Sequence, residues 1–159
     1  MVVDVQIACS DSGIPSEKDI QDWVEFAAGQ SGRAPDSSAD IAVRIVDAAE
    51  IRTLNHLYRE KDTPTNVLSF SAGEMDGLPH DAVRQLGDIV VCAPVVSEEA
   101  ALQGKLLSDH WAHMLVHGVL HLLGYNHEND ADADEMERLE TAILKDRGIA
   151  DPYASTQVR

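Results

Sequence analysis

Aromatic side chains are scarce in this chain, at 4% of its residues, so a nucleic-acid surface built from several stacking rings is hard to assemble from it. Cysteine is scarce too. Cys9 and Cys92 stand alone with no C-x-x-C pair, which argues against a disulfide framework or a thiolate zinc site. Positive charge is short as well: 12 Lys and Arg face 28 Asp and Glu, a net charge of −16. That balance helps solubility and disfavours nonspecific attraction to nucleic acid or to an anionic membrane. Much of the acid lies in residues 128–140, where Arg138 is the only base, and this run reads as a solvated helix face. No stretch approaches the roughly 20 uninterrupted apolar residues of a membrane span. The start, Met1-Val-Val-Asp-Val-Gln6, has neither the basic residues nor the apolar run of a signal peptide. A cytoplasmic protein with no membrane partner is the expectation.

What is present suffices for one domain spanning residues 1–159, long enough for a real core. Alternating apolar residues predict strands over 2–8 and 41–46, with further strands at 67–70 and 86–93. A helix is expected from Pro15-Ser16 to about Ala28, closed by Gly29. Another starts at Asp47-x-x-Glu50, a pattern like a capping box, and runs to about Tyr58 with Ile51, Leu54, Asn55 and Tyr58 on one face. Thr63-Pro64 ends any helix there. Residues 71–85 read as a loop with His80 exposed, 94–104 as a helix whose first turn suits Ser97-Glu-Glu, and 131–147 as a last helix with Met136, Leu139, Ile143 and Leu144 at core spacing. The fold class is α+β, a mixed four-stranded sheet packed with helices around a central, buried, histidine-bearing helix.

That central helix is the stretch from Ser108 to Gly124. Ser108 and Asp109 suit its N-terminal cap and Gly124 its end. Trp111, Leu115, Val119 and Leu122 share one face, and Val116, Leu120 and Leu123 cover much of the rest, so the helix should be buried nearly all round. Residues four apart point the same way, so His117 and His121 can offer two imidazoles to one ion, and the reversal at Gly124 can return His127 as a third. The spacing H-x3-H-x2-G-x2-H matches the three-histidine zinc pattern of metzincin proteases. Their general-base Glu, directly after the first His, is replaced by Gly118, which argues against ordinary peptide hydrolysis. A set of His113, His117 and His121 would span two helical turns and fit one tetrahedral ion poorly, so His110 and His113 are not expected to be ligands.

Three ordered segments carry a resemblance. Leu54-Asn-His-Leu-Tyr-Arg-Glu-Lys-Asp-Thr-Pro-Thr-Asn-Val-Leu-Ser-Phe70, Leu86-Gly-Asp-Ile-Val90 and His117-Gly-Val-Leu-His-Leu-Leu-Gly-Tyr-Asn-His127 resemble the YbeY family of bacterial metal-dependent endoribonucleases. The similarity runs from about residue 40 to the closing Asp-Pro-Tyr153. It implies that His117, His121 and His127 bind one zinc ion completed by water, and that Arg59 and His117 are catalytic. It further implies that Arg59 and Lys61 meet the substrate. The implied substrate is single-stranded ribosomal RNA, cut during maturation of the 16S 3′ end and in ribosome quality control, with the small ribosomal subunit as partner and no DNA. Two positions depart from the family pattern: Asn66 and Asn126 stand where Asp is usual.

Chemically, zinc on three neutral histidines keeps a fourth position for water and lowers that water's pKa towards about 7. Arg59 offers a planar fork suited to phosphate and Lys61 a flexible charge. As a purely structural residue, Arg59 would pair with Glu60, Asp62 or Asp88. Asn126 can hydrogen-bond a ligand histidine or backbone but cannot act as a base. Tyr58, Phe70 and Tyr125 are more plausible as core than as stacking rings. Two other functions fit the same residues. One is a zinc hydrolase of a peptide, amide or small phosphoester, with Glu128 or Asp88 as base. The other is a noncatalytic ribosome-assembly factor in which zinc staples the last two helices.

Overall fold

The computed structural model describes residues 1–35, 39–75 and 86–154. The expected loop at 71–85 is therefore described only to Met75, and His80 lies outside the described residues. Among the described residues, nine elements follow in the order β1 (Val2–Ile7), α1 (Glu17–Gln30), β2 (Asp40–Val46), α2 (Ala48–Arg59), β3 (Val67–Ser71), β4 (Gly87–Cys92), α3 (Ala93–Gln103), α4 (Leu107–Leu122) and α5 (Asp130–Asp146). The sheet is mixed, in the spatial order β1-β2-β4-β3. β1 and β4 run parallel to β2, with Val43 opposite both Val5 and Ile89, and β3 runs antiparallel to β4. The architecture is the expected α+β arrangement. Among the described residues no helix is long and apolar enough to cross a membrane.

Strand alternation divides the core into two layers. Ile41, Val43, Ile45, Ile89 and Val91 face the side covered by α1, α4 and α5, whereas Val46, Val90 and Cys92 face α2 together with Ile51 and Phe70. On that second face Arg44 is tied to Glu50 by two hydrogen bonds of 2.6 and 3.1 Å. Asp47 caps α2 by accepting the Glu50 N–H at 2.9 Å, so the cap forms while the Glu50 side chain serves the sheet instead of reaching back. Burial of Ile51 and Asn55, with Leu54 and Tyr58 half-buried, follows the expected inward face.

α4 is the centre. Trp111, Leu115, Val116, Val119 and Leu120 are all buried, and the helix packs against α1, α3, α5, β3 and β4. Its start differs from expectation. Gly104 adopts a left-handed φ of 66° that ends α3, and the chain re-enters a helix at once, with Leu106 as N-cap and no side-chain cap bond. Ser108 and Asp109 therefore lie inside the first turn, where the Asp109 carboxylate suits the positive end of the helix dipole. Two other boundaries also moved. Gly29 is helical, and α1 closes at Ser31, whose Oγ donates to the Ala28 carbonyl at 2.7 Å. α3 begins at Ala93 with Pro94 in its first turn, which puts Ser97, Glu98 and Glu99 beyond that turn and frees Glu99 to serve as a partner elsewhere.

Candidate metal centre

α4 carries His117 and His121 one turn apart, at its C-terminal end. Beyond it the Tyr125 N–H bonds the Leu120 carbonyl at 3.0 Å, and Gly124 takes a φ of 98°, a region that favours glycine. This reversal brings His127 back over the helix end. The His117 and His127 rings stack with centroids 5.2 Å apart, and the His117 and His121 rings meet edge-on at 4.6 Å. A nitrogen from each of the three histidines lies within 4.8 Å of the other two, close enough for one ion. His117 and His121 are half-buried and His127 is exposed, so the group opens to solvent on one side.

The donor set fits a metal. Burial lowers the His121 pKa to about 4, helped by the His117 and His127 charges and, more weakly, by Arg59. At neutral pH the ring is therefore in its metal-binding form. His117 places Nδ1 2.8 Å from Glu140 Oε2, which leaves Nε2 as its ligand atom. Burial works against the charge on Glu140, but hydrogen bonds from His113 and His117 outweigh it and hold the carboxyl at about 2.

Glu140 is the residue that sequence reasoning missed. The acidic run 128–140 does form a mostly solvated face, but its last member is fully buried. The available signal was spacing: Glu140 lies four residues after Met136 and four before Leu144, on the stripe that α5 turns inward. Its carboxylate meets His117, His113 Nε2 at 3.1 Å and the Tyr153 hydroxyl at 2.5 Å. Tyr153, the last residue of the stretch that resembles the family, packs its ring edge-on against His113 at 5.2 Å. Burial, and after it the Glu140 carboxylate, pushes the Tyr153 phenol above its usual range, so it stays a donor. His110 sits further along α4, with Nε2 2.9 Å from Glu99.

The return of His127 also depends on the segment that closes α1. The Tyr125 hydroxyl donates to the Ser31 carbonyl at 2.7 Å. Arg33 stacks over the Tyr125 ring at 3.9 Å and donates to the Leu123 carbonyl at 3.2 Å. The end of α1 thus pins the turn that carries the third histidine. Asn126 accepts the Glu128 N–H at 3.0 Å, so its role is to shape the backbone there, which the amide oxygen fulfils without charge. Asn66 accepts the Val67 N–H and donates to Glu99 at 3.1 Å, a bond that an ionised Asp could not make.

Arg59 ends α2. Its guanidinium donates to the Ser69 carbonyl at 2.8 Å and the Tyr58 carbonyl at 3.1 Å, and lies 4.6 Å over the Phe70 ring. Its carboxylate partner is Glu74 at 3.1 Å, which none of the expected pairings included; Asp62 pairs with Arg52 instead. Glu60 turns the chain with a left-handed φ of 60°, and Lys61 is exposed just beyond it. β3 joins this cation to the histidines, since Ser69 Oγ donates to the Gly118 carbonyl at 2.9 Å, between His117 and His121. At Gly118 itself an added Cβ would lie 2.7 Å from Ile89 Cγ2. The protease glutamate has no room at this position, because it faces the sheet. Tyr58, Phe70 and Tyr125 are packed as expected for core rings, with Tyr58 edge-on to Phe70 at 5.4 Å.

The family model described as Endoribonuclease YbeY matches residues 6–148. The Endoribonuclease YbeY of Xanthomonas euvesicatoria pv. vesicatoria is 54% identical over 153 residues, covering 96% of this chain and 92% of that protein. That of Xanthomonas oryzae pv. oryzae is 53% identical over 156 residues, covering 98% and 94%. The solution structure of TM1509 from Thermotoga maritima superposes with a TM-score of 0.55 at 22% identity, covering 98% of this chain and 99% of that one, a likeness of fold.

Proposed function

The chain belongs to the YbeY endoribonuclease family, and we propose that it is a zinc-dependent endoribonuclease that cuts single-stranded RNA. We place it in the cytoplasm, in maturation of the 16S ribosomal RNA 3′ end and in ribosome quality control, with the small ribosomal subunit as partner. The observation that carries this reading is the half-open three-histidine group beside a guanidinium held on β3. A structural zinc is closed by four protein ligands, whereas three leave a position for chemistry.

His117, His121 and His127 would hold the ion. When bound, zinc supplies Lewis acidity to a phosphoryl oxygen and to a water molecule. The chain supplies the rest. Arg59 is preorganised by the Ser69 carbonyl and the Phe70 face, so it can offer its remaining donors to a phosphate without first being ordered. Glu74 is more than a third exposed, a weakly held partner that an incoming phosphate can replace. Lys61 adds an exposed charge two residues on, just beyond the end of α2. Among the described residues the site contains little else that is basic, and with a net charge of −16 the chain must gain affinity from its partner. Hydrolysis of peptides is disfavoured by the packing of Gly118 on Ile89.

The test incubates zinc-loaded protein with labelled single-stranded RNA, the same RNA annealed to a complement, and single-stranded DNA. Chelator-treated, His121→Ala and Arg59→Ala samples, each shown folded by circular dichroism, run alongside. Cleavage of single-stranded RNA alone is expected, abolished by chelation and by His121→Ala, and reduced by about 10²–10³-fold in Arg59→Ala. Cleavage that survives all three controls would be a contaminant. Cutting neither free RNA nor small-subunit particles would overturn the reading.

A further inference from the structure

We propose that Glu140 is a positioning residue for the metal centre, holding His117 in the tautomer that presents Nε2 to the ion, with Tyr153 holding Glu140 in turn. This rests on the metal-site reading above. The argument is an inventory of protons. Glu140 is 0% exposed, and three groups converge on it: His117 Nδ1 at 2.8 Å and His113 Nε2 at 3.1 Å on one oxygen, and the Tyr153 hydroxyl at 2.5 Å on the other. A carboxylate can only accept. Each partner must therefore donate, which places the His117 proton on Nδ1 and the His113 proton on Nε2. The lone pair of neutral His117 is then on Nε2, the nitrogen left for the ion it would share with His121 and His127.

His113 fits the same scheme. Its Nδ1 is buried with no hydrogen-bond partner among the described residues, a tolerable state for a lone pair but a costly one for a second N–H. Its Nε2–H is also 3.2 Å from the Tyr153 oxygen, so that oxygen accepts from His113 while its own proton goes to Glu140. Every proton in the cluster is thereby assigned. His113, His117 and Glu140 also lie close enough together to be read as a second metal set. Separations of 2.8 and 3.1 Å are those of hydrogen bonds, and full burial closes Glu140 to an entering ion. Of the two groupings among the described residues, one is left to hold an ion.

Nitrogen-15 NMR of the metal-free wild-type protein reads the tautomer directly, and His117 should carry its proton on Nδ1. Glu140→Gln preserves size but turns an NH2 towards one set of donors. It should mix the His117 tautomers and weaken zinc binding by about 10–100-fold in chelator competition, and it should alter the visible spectrum of the cobalt-substituted protein. Tyr153→Phe keeps both histidine bonds and should retain the tautomer with a loss below about tenfold. The wild-type chain should bind one equivalent of zinc. A wild-type His117 protonated on Nε2 would overturn the proposal, whether or not Glu140→Gln folds. So would a folded Glu140→Gln with wild-type zinc affinity, or a second zinc lost on that substitution. A chain that shows the tautomer and the affinity change yet cuts no RNA would overturn only the ribonuclease reading. A wild-type chain that binds no zinc would overturn both.

Discussion

α4 and α5 meet at the His117–Glu140 hydrogen bond, and they reach it by opposite routes. α4 is apolar on nearly every side, and its polar exceptions include the histidines that line up towards the site. α5 is acidic over most of its surface and apolar along one stripe, and it delivers to the core a carboxylate flanked by Met136, Ile143 and Leu144. A buried charge is tolerated there because three donors surround it. In a helix where polarity is rare, a polar residue advertises a role. Where polarity is the rule, the one that matters is distinguished only by its position on the helical wheel.

The difference predicts unequal tolerance. Leu120 is fully buried in the last turn of α4, and Leu120→Ala should cost about 2–5 kcal/mol through lost burial and the cavity left behind. Glu135, exposed on α5, should accept Gln within about 0.5 kcal/mol. Urea denaturation of the two variants beside the wild type measures both, and similar losses would break the contrast.

The same contrast explains what was legible beforehand. The strands, the α2 cap and the buried character of α4 follow from local periodicity and capping residues, which act over a few neighbours. The spacing of His117, His121 and His127 is likewise local, because a helical turn and one glycine set it. Glu140 belongs to a pairing 23 residues away in sequence from His117, and nothing in an acidic run says which member finds a partner. Arg59 makes the same point: Glu60, Asp62 and Asp88 were plausible partners, and Glu74, just beyond β3, is the one it meets. The anchoring of Tyr125 to Ser31 spans 94 residues and lies beyond any local pattern. The start of α4 failed for a different reason. Good capping residues at 108 and 109 were passed over because Gly104 let the chain begin the helix earlier.

Gly118 offers a sharper probe of α4, since it is a position where the helix touches the sheet without a side chain of its own. A Cβ there would sit 2.7 Å from Ile89 Cγ2, and that methyl is part of a branched, stiff side chain in β4. Gly118→Ala should therefore destabilise by about 1–3 kcal/mol despite the better helix propensity of alanine. Adding Ile89→Ala should recover part of that loss, so the double variant should be more stable than the two single costs predict. Strict additivity would show that the helix shifts to make room, and the closeness of α4 to β4 would not then be what excludes a side chain beside the first histidine.

The smallest expected effect concerns the other end of α4. His110 is 3% exposed, with Nε2 on Glu99 and Nδ1 buried without a partner among the described residues. Burial holds its pKa below the ordinary value; the Glu99 hydrogen bond pulls the other way and does not prevail, and His113 and Lys105 add small contributions in the direction of burial. The unfolded chain therefore takes up this proton first, at about pH 6.5. Below that pH the unfolded state binds more protons, so the contribution of His110 to stability declines as pH falls, until the folded form protonates as well. His110→Gln removes the titration, and the variant's stability should decline less than that of the wild type between about pH 7.5 and 5.5, measured by urea denaturation of metal-free protein. Coinciding slopes would mean that folding leaves the His110 pKa unmoved. A wild type that gains stability over the variant as pH falls would mean that Glu99 holds His110 charged, and that the N-terminal half of α4 rests on an ion pair instead of a neutral core.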